Sequence, residues 1–125
     1  MDRQKRVLII DDEDECMFAL SVKLISEGYS PYGATDGMQA LEQLEKHPID
    51  VIVTNLRIPK LGGWDFLAIS RSQWPWIPII VLSESEHGME LDAIEHGAYA
   101  WVRKDGHVTI LSEMLAVAVR DSVAA

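Results

Sequence analysis

The chain has 125 residues, 48% of them hydrophobic, with a formal net charge of −9 and one cysteine. That is one domain's worth of chain, 1–125, with apolar content enough for a core unaided by disulfides or structural metal, and a lone thiol suits a reduced, cytoplasmic setting. The negative balance argues against nucleic acid as a direct ligand, no apolar run approaches the roughly 18 residues of a membrane span, and MDRQKR leads straight into a strand instead of a signal-peptide core.

In chain order, RVLIID (6–11) is a short, continuous, β-branched run, as expected of a strand buried on both faces. DEDECMFALSVKLISEGY (12–29) follows as a helix, with acids in its first turn and Gly28 after its last. Phe18, Leu20, Leu24 and Ile25 fall at helical spacing and are expected inward. SPYGAT (30–35) is a weak second strand. DGMQALEQLEKHP (36–48) is a second helix, with Met38, Leu41 and Leu44 inward and Pro48 at its stop. DVIVTN (50–55) is the third strand, and GGWDFLAISRSQ (62–73) a short third helix. A fourth strand, 79–82, is entered through Pro78. SEHGMELDAIEHGA (85–98) is a fourth helix ending at Gly97, YAWVRK (99–104) a fifth strand, and 107–123 a final helix.

Five strands alternating with five helices predict an α/β fold. It is a doubly wound parallel sheet with helices on both faces. Its crevice lies outside the strands' C-terminal ends. The residues there are Asp11 and Asp12 after the first strand, Asn55 after the third, Ser83 after the fourth and Lys104 after the fifth.

Asp11 and Asp12 would be explained equally by capping of the first helix. The run DDEDE concentrates five acids, however, and such a cluster repels itself unless solvated or balanced by a cation. Hard oxygen ligands in a loop suit Mg²⁺, which keeps several waters and needs one or two carboxylates. Ser83 alone reads as a turn residue and Lys104 alone as a surface lysine. Their joint placement around the acids is what points to a site.

This ordered set resembles the receiver domains of bacterial two-component response regulators, over essentially the whole chain, which implies a flavodoxin-like strand order of 2-1-3-4-5 and a bacterial cytoplasmic setting. The family pattern has an acid pair after the first strand, an acceptor Asp after the third, Thr or Ser after the fourth and Lys after the fifth. Here these places hold Asp11 and Asp12, Asn55, Ser83 and Lys104. NLRIPKLGGWDF is similar to the acceptor loop, with Pro59 and Gly63 retained, and GAYAWVRK to the segment bearing the switch aromatic, here Trp101. The resemblance implies Mg²⁺ held by Asp11, Asp12, the acceptor position and the backbone carbonyl of Arg57. It implies Lys104 and Ser83 on the phosphoryl oxygens, and an inward turn of Trp101 that changes partner preference on the face of the fourth helix, fifth strand and last helix.

Asn55 departs from that pattern. An amide is a poor nucleophile and a poor base, so acyl-phosphate chemistry fails there. Mg²⁺ binding is also weakened, since a unit charge pair at 4 Å is worth roughly 4 kcal/mol at an effective dielectric near 20, less whatever hydration returns. The expected function is therefore a non-enzymatic receiver-type signalling module working by protein–protein contact, either an atypical pseudo-receiver or an engineered acceptor mutant. Further departures at Glu84, Gly62 and Asp105–Gly106, where the family usually has Pro after the lysine, favour natural divergence. A trans bond is expected after Lys104, because a non-proline cis bond costs several kcal/mol.

Two alternatives stay open: a phosphorylation-dependent regulator in its native form, and a phosphoacceptor using Thr54 or Ser83 with Asp11 or Asp12 as base. A nucleotide-binding module of flavodoxin-like shape is disfavoured by the lack of a Gly-rich loop after the first strand. The expected partners are a histidine kinase or phosphotransfer protein on the first helix, with Met17 as its exposed apolar contact and Phe18 in the core, or a downstream protein on the Trp101 face. The assembly state expected is monomer or weak dimer. Trp74 and Trp76 are expected to seal the bottom of the sheet, an exposed pair there implying a dimer or domain contact. Cys16 is expected to be an unreactive thiol.

Overall fold

A computed structural model of the chain describes residues 4–55, 60–83, 94–103 and 108–123. Five parallel strands, β1 (Arg6–Ile10), β2 (Ser30–Ala34), β3 (Val51–Asn55), β4 (Ile79–Ser83) and β5 (Ala100–Arg103), form one sheet of order β2-β1-β3-β4-β5. Between them run α1 (Asp14–Ser26), α2 (Gly37–Lys46) and α3 (Gly63–Gln73), and a C-terminal helix (Val108–Val123) follows β5. The anticipated fourth helix lies largely outside the described residues. Its end shows as a helical turn at Ile94 and Glu95, closed by Gly97 at φ +106.

The strands read as unbroken apolar runs because both faces are covered. Alternate residues supply two cores. Leu8, Ile10, Ile52, Ile79 and Val81 pack with Ala40 and Leu44 of α2 and Phe66 and Leu67 of α3. Val7, Ile9, Val53, Ile80 and Val102 pack on the other face, with Leu24 of α1 and Leu115 and Ala118 of the C-terminal helix. α1 ends at Gly28, φ +90, where the amides of Glu27 and Tyr29 both donate to the Leu24 carbonyl, a left-handed closure that glycine adopts without strain.

Five burial expectations are corrected, at Phe18, Ile25, Met38, Met17 and Trp76. Phe18 is 71% exposed, as are Ile25 at 60% and Met38 at 51%. α1 carries two apolar stripes. Met17, Leu20 and Leu24 share the inward one, whereas Phe18, Val22 and Ile25 lie roughly 130° away, facing out. The predicted set mixed members of both. Met17, expected outward, instead packs inward beside Gly33, where its Sδ stands 2.7 Å from the place a Cβ would occupy. On α2 the buried stripe runs through Ala40 and Leu44, and Met38 sits beyond its edge. Trp74 does pack on the core, but Trp76 is 52% exposed and seals nothing.

Candidate functional site

The ladder registers bring the strand ends to one edge. Ile10 pairs with Thr54, Asn55 with Leu82, and Ser83 with Arg103. Asp11, one residue past β1, therefore stands beside Asn55 at the end of β3. This is the junction where the chain winds outward to β2 on one side and to β4 and β5 on the other. It is the switch point at which such sheets form their crevice. Lys104 follows Arg103 but lies outside the described residues, as do Arg57, Pro59, Glu84 and the bond between Lys104 and Asp105. The backbone of Ser83 closes β4, and its side chain is likewise outside the described part.

Asp11 is buried, at 5% exposure. Its amide donates to the Ala34 carbonyl at 3.1 Å, which ties it to the end of β2. Its Oδ1 accepts the Glu13 amide at 2.9 Å, closing an Asx turn. Asp11 is thus not the cap of α1. Glu13 holds the cap position and makes no side-chain cap bond. One carboxylate oxygen from each of Asp11, Asp12 and Glu13 falls within 4.8 Å of the others. Three acids so close repel one another, and an all-oxygen set of this kind suits a hard divalent cation. Glu13 was not singled out from the sequence, although the five-acid run contained it.

Asn55 is half-buried. Thr54 beside it is fully buried, and its hydroxyl donates to the Asn55 carbonyl at 3.0 Å. A hydroxyl spent on its neighbour's backbone in the packed sheet is poorly placed to meet a phosphodonor. Trp101 lies on the edge strand β5, in register with Val81, half-buried against the core shared with α2 and α3. Trp64, in the first turn of α3, packs against His96 with ring centroids 4.9 Å apart and the planes tilted by 56°.

The return of the loop after β3 is anchored by residues that sequence reasoning missed. Asp36, 4% exposed, caps α2 through Oδ1 to the Gln39 amide at 2.8 Å, and its Oδ2 lies 3.5 Å from Lys60 Nζ. Lys60 adopts φ +67. Next to this pair the chain passes so close to Gly37 that a Cβ there would meet the Leu61 carbonyl at 2.6 Å. Gly37 therefore allows the loop to lie on the start of α2. The signal was present as an Asp with Gln three residues on, a capping pattern.

Residues 7–116 match the response regulator receiver domain family. The transcriptional regulatory protein KdpE of Mycobacterium tuberculosis is 35% identical over 120 residues, covering 95% of this chain and 53% of that protein, so the chain spans about half of that relative's length. Among solved structures, the signal receiver domain of an HD domain-containing protein from Pseudomonas fluorescens superposes with a TM-score of 0.91 at 23% identity, over 98% of this chain and 100% of that one, a likeness of fold. The response regulator TrrA of Thermotoga maritima, in complex with Mg(2+)-BeF, gives 0.85 at 25% identity over 92% and 99%. The matched span, the strand order and the acid-lined switch point agree, and the chain belongs to the response regulator receiver domains of two-component systems.

Proposed function

We propose that this receiver domain signals through protein–protein contact without forming an aspartyl phosphate, because the acceptor position is held by Asn55. The observation that carries the reading is the placement of an amide, instead of a carboxylate, at the end of β3 beside the buried Asp11. The amide nitrogen's lone pair is delocalised and its oxygen bears no full charge, so it does not attack phosphorus.

The acid cluster fits Mg²⁺ in donor type. Asp11 and Asp12 would hold it with the Asn55 side chain and the Arg57 backbone carbonyl, Glu13 being close enough to add or replace a ligand. Bound there, the ion would relieve the mutual repulsion of the acids. Without a carboxylate at 55 that binding is weak. Asp11 keeps its orientation independently, through the Glu13 amide and the Ala34 carbonyl. By the family pattern Ser83 and Lys104 would meet a phosphoryl group, and no such group arrives by way of Asn55.

Partner contact then falls to the surfaces. Phe18, Val22 and Ile25 form an exposed apolar stripe along α1, beside the acid cluster, and suit a histidine kinase or phosphotransfer protein better than Met17 does. Trp101 is the corresponding anchor for a downstream partner on the β5 side. The alternative of a hydroxyl acceptor is weakened by the buried, internally bonded Thr54. The test is incubation with acetyl phosphate and Mg²⁺ followed by intact mass measurement. No covalent gain is expected, and a stoichiometric gain of one phosphoryl group would overturn the proposal.

A further inference from the structure

At the opposite end of the sheet from Asp11 and Asn55, where β3 and β4 begin, a cleft of about 280 Å³ opens between the end of α2 and the segment joining α3 to β4. Leu44, Ile49 and Ile77 line it with aliphatic groups, Trp74 and Trp76 with indoles, and Asp50 with a carboxylate. Its other ionisable lining residue, His47, packs its ring on Tyr32 with centroids 4.6 Å apart. Among the described residues no lysine or arginine lines the cleft. Its volume falls just below the roughly 300 Å³ at which pockets for drug-sized ligands begin, so it suits a small ligand.

The cleft is preformed. Trp74 and Ile77 each precede a proline, which restricts the backbone on both sides of Trp76. The Arg71 guanidinium donates to the Pro75 carbonyl at 2.8 Å, and the Ile77 amide donates to the Trp74 carbonyl at 3.0 Å. Trp76 is 52% exposed, so part of its ring is open to a ligand. The Arg6 amide, a neutral donor, holds the Asp50 carboxylate at 2.7 Å, a bond that fixes the group and leaves its charge in place. A site braced in this way loses little freedom when it is filled.

We propose that this cleft binds a small, free organic cation of the quaternary ammonium class. The lining selects the class by elimination. An anion meets the Asp50 carboxylate on a chain of net charge −9 and finds no lysine or arginine to pair with. A hard metal ion wants several oxygen ligands, and the cleft offers one carboxylate among apolar groups. A neutral apolar molecule would use the aliphatic lining and leave the carboxylate unused. An alkylated ammonium uses all of it: its methyl groups pack on Leu44, Ile49 and Ile77, and its charge is attracted by the indoles of Trp74 and Trp76 and by Asp50.

Choline and 3,3-dimethylbutan-1-ol, which have the same shape and differ in charge, test this. Each is titrated into the full chain at about pH 8, where free imidazole is neutral, and at constant ionic strength. Tryptophan fluorescence and amide and indole N–H shifts are followed. Choline should saturate, with the shifts concentrated at 47–50 and 74–77, and the neutral alcohol should bind at least about fivefold more weakly. Asp50→Asn keeps an oxygen for the Arg6 amide and should abolish the preference for choline. Trp76→Ala should weaken choline binding, and Phe18→Ala, on α1, should leave it unchanged. Phosphocholine carries an anion beside the same cation and should bind more weakly than choline, as expected of a site for a free cation and not for a lipid headgroup. Equal binding of choline and the alcohol, the absence of a saturable response to choline, indifference to Asp50→Asn, or tighter binding of phosphocholine would overturn the proposal.

Discussion

Removal of the Asp36 carboxylate separates two contributions that the structure superimposes on one residue. Asp36 caps α2 through the Gln39 amide at 2.8 Å and approaches Lys60 Nζ at 3.5 Å. Loss of an N-cap acceptor costs about 1 kcal/mol, within a range of roughly 0.5–2. The Lys60 side chain is 70% exposed, so its ion pair adds only about 0.2–1 kcal/mol. Asp36→Ala should therefore lower unfolding stability by about 1–3 kcal/mol. Asp36→Asn keeps a capping acceptor and loses only the charge, so it should cost less than about 1 kcal/mol. Lys60→Ala should match the Asn variant, and the double variant Asp36→Asn with Lys60→Ala should cost little more than either alone. Urea unfolding followed by tryptophan fluorescence, at unchanged m-value, gives these differences. If Asp36→Asn proved as costly as Asp36→Ala, the Lys60–Asp36 contact would be held mainly by charge, and the capping argument would be wrong.

Phe66 is fully buried where α3 meets β1, β3 and β4, and Phe66→Ala should cost about 3–5 kcal/mol in the same assay, a large part of a domain's total stability. The Tyr29 hydroxyl is pushed above its ordinary value by burial first and by the Glu27 charge second. The unfolded chain therefore releases that proton at a lower pH than the folded one. Stability should fall as pH rises past about 10, and Tyr29→Phe should flatten that decline. Thermal melts across an alkaline pH series would show it, and an unaltered slope in the variant would refute it.

The fold was legible because β-strands covered on both faces must be written as apolar runs. Five such runs spaced by helical patterns leave few topologies. The strand-end residues were legible for the same reason, since register follows once the runs are placed. The faces of α1 were not, because a 13-residue helix carrying Met17, Phe18, Leu20, Val22, Leu24 and Ile25 offers two stripes, and periodicity does not say which one meets the sheet. The choice is made by tertiary packing against Val7, Ile9 and the C-terminal helix. The Asp36–Lys60 contact joins residues 24 apart through the fold, and no local pattern encodes it. Trp76 was misjudged because a tryptophan between two prolines looks like core until the turn is built. Arg71 and Pro75 turn the segment outward.

The central claim is that Asn55 removes phosphoryl acceptance from a site whose surroundings remain those of a receiver. Asn55→Asp changes one amide to a carboxylate of the same shape, beside Asp11 and the acids that follow it. The most direct measurement is intact mass of the unsubstituted chain and the Asn55→Asp variant, side by side, after acetyl phosphate and Mg²⁺. The account predicts one added phosphoryl group on the variant and none on the unsubstituted chain. Addition to both, or to neither, would contradict it.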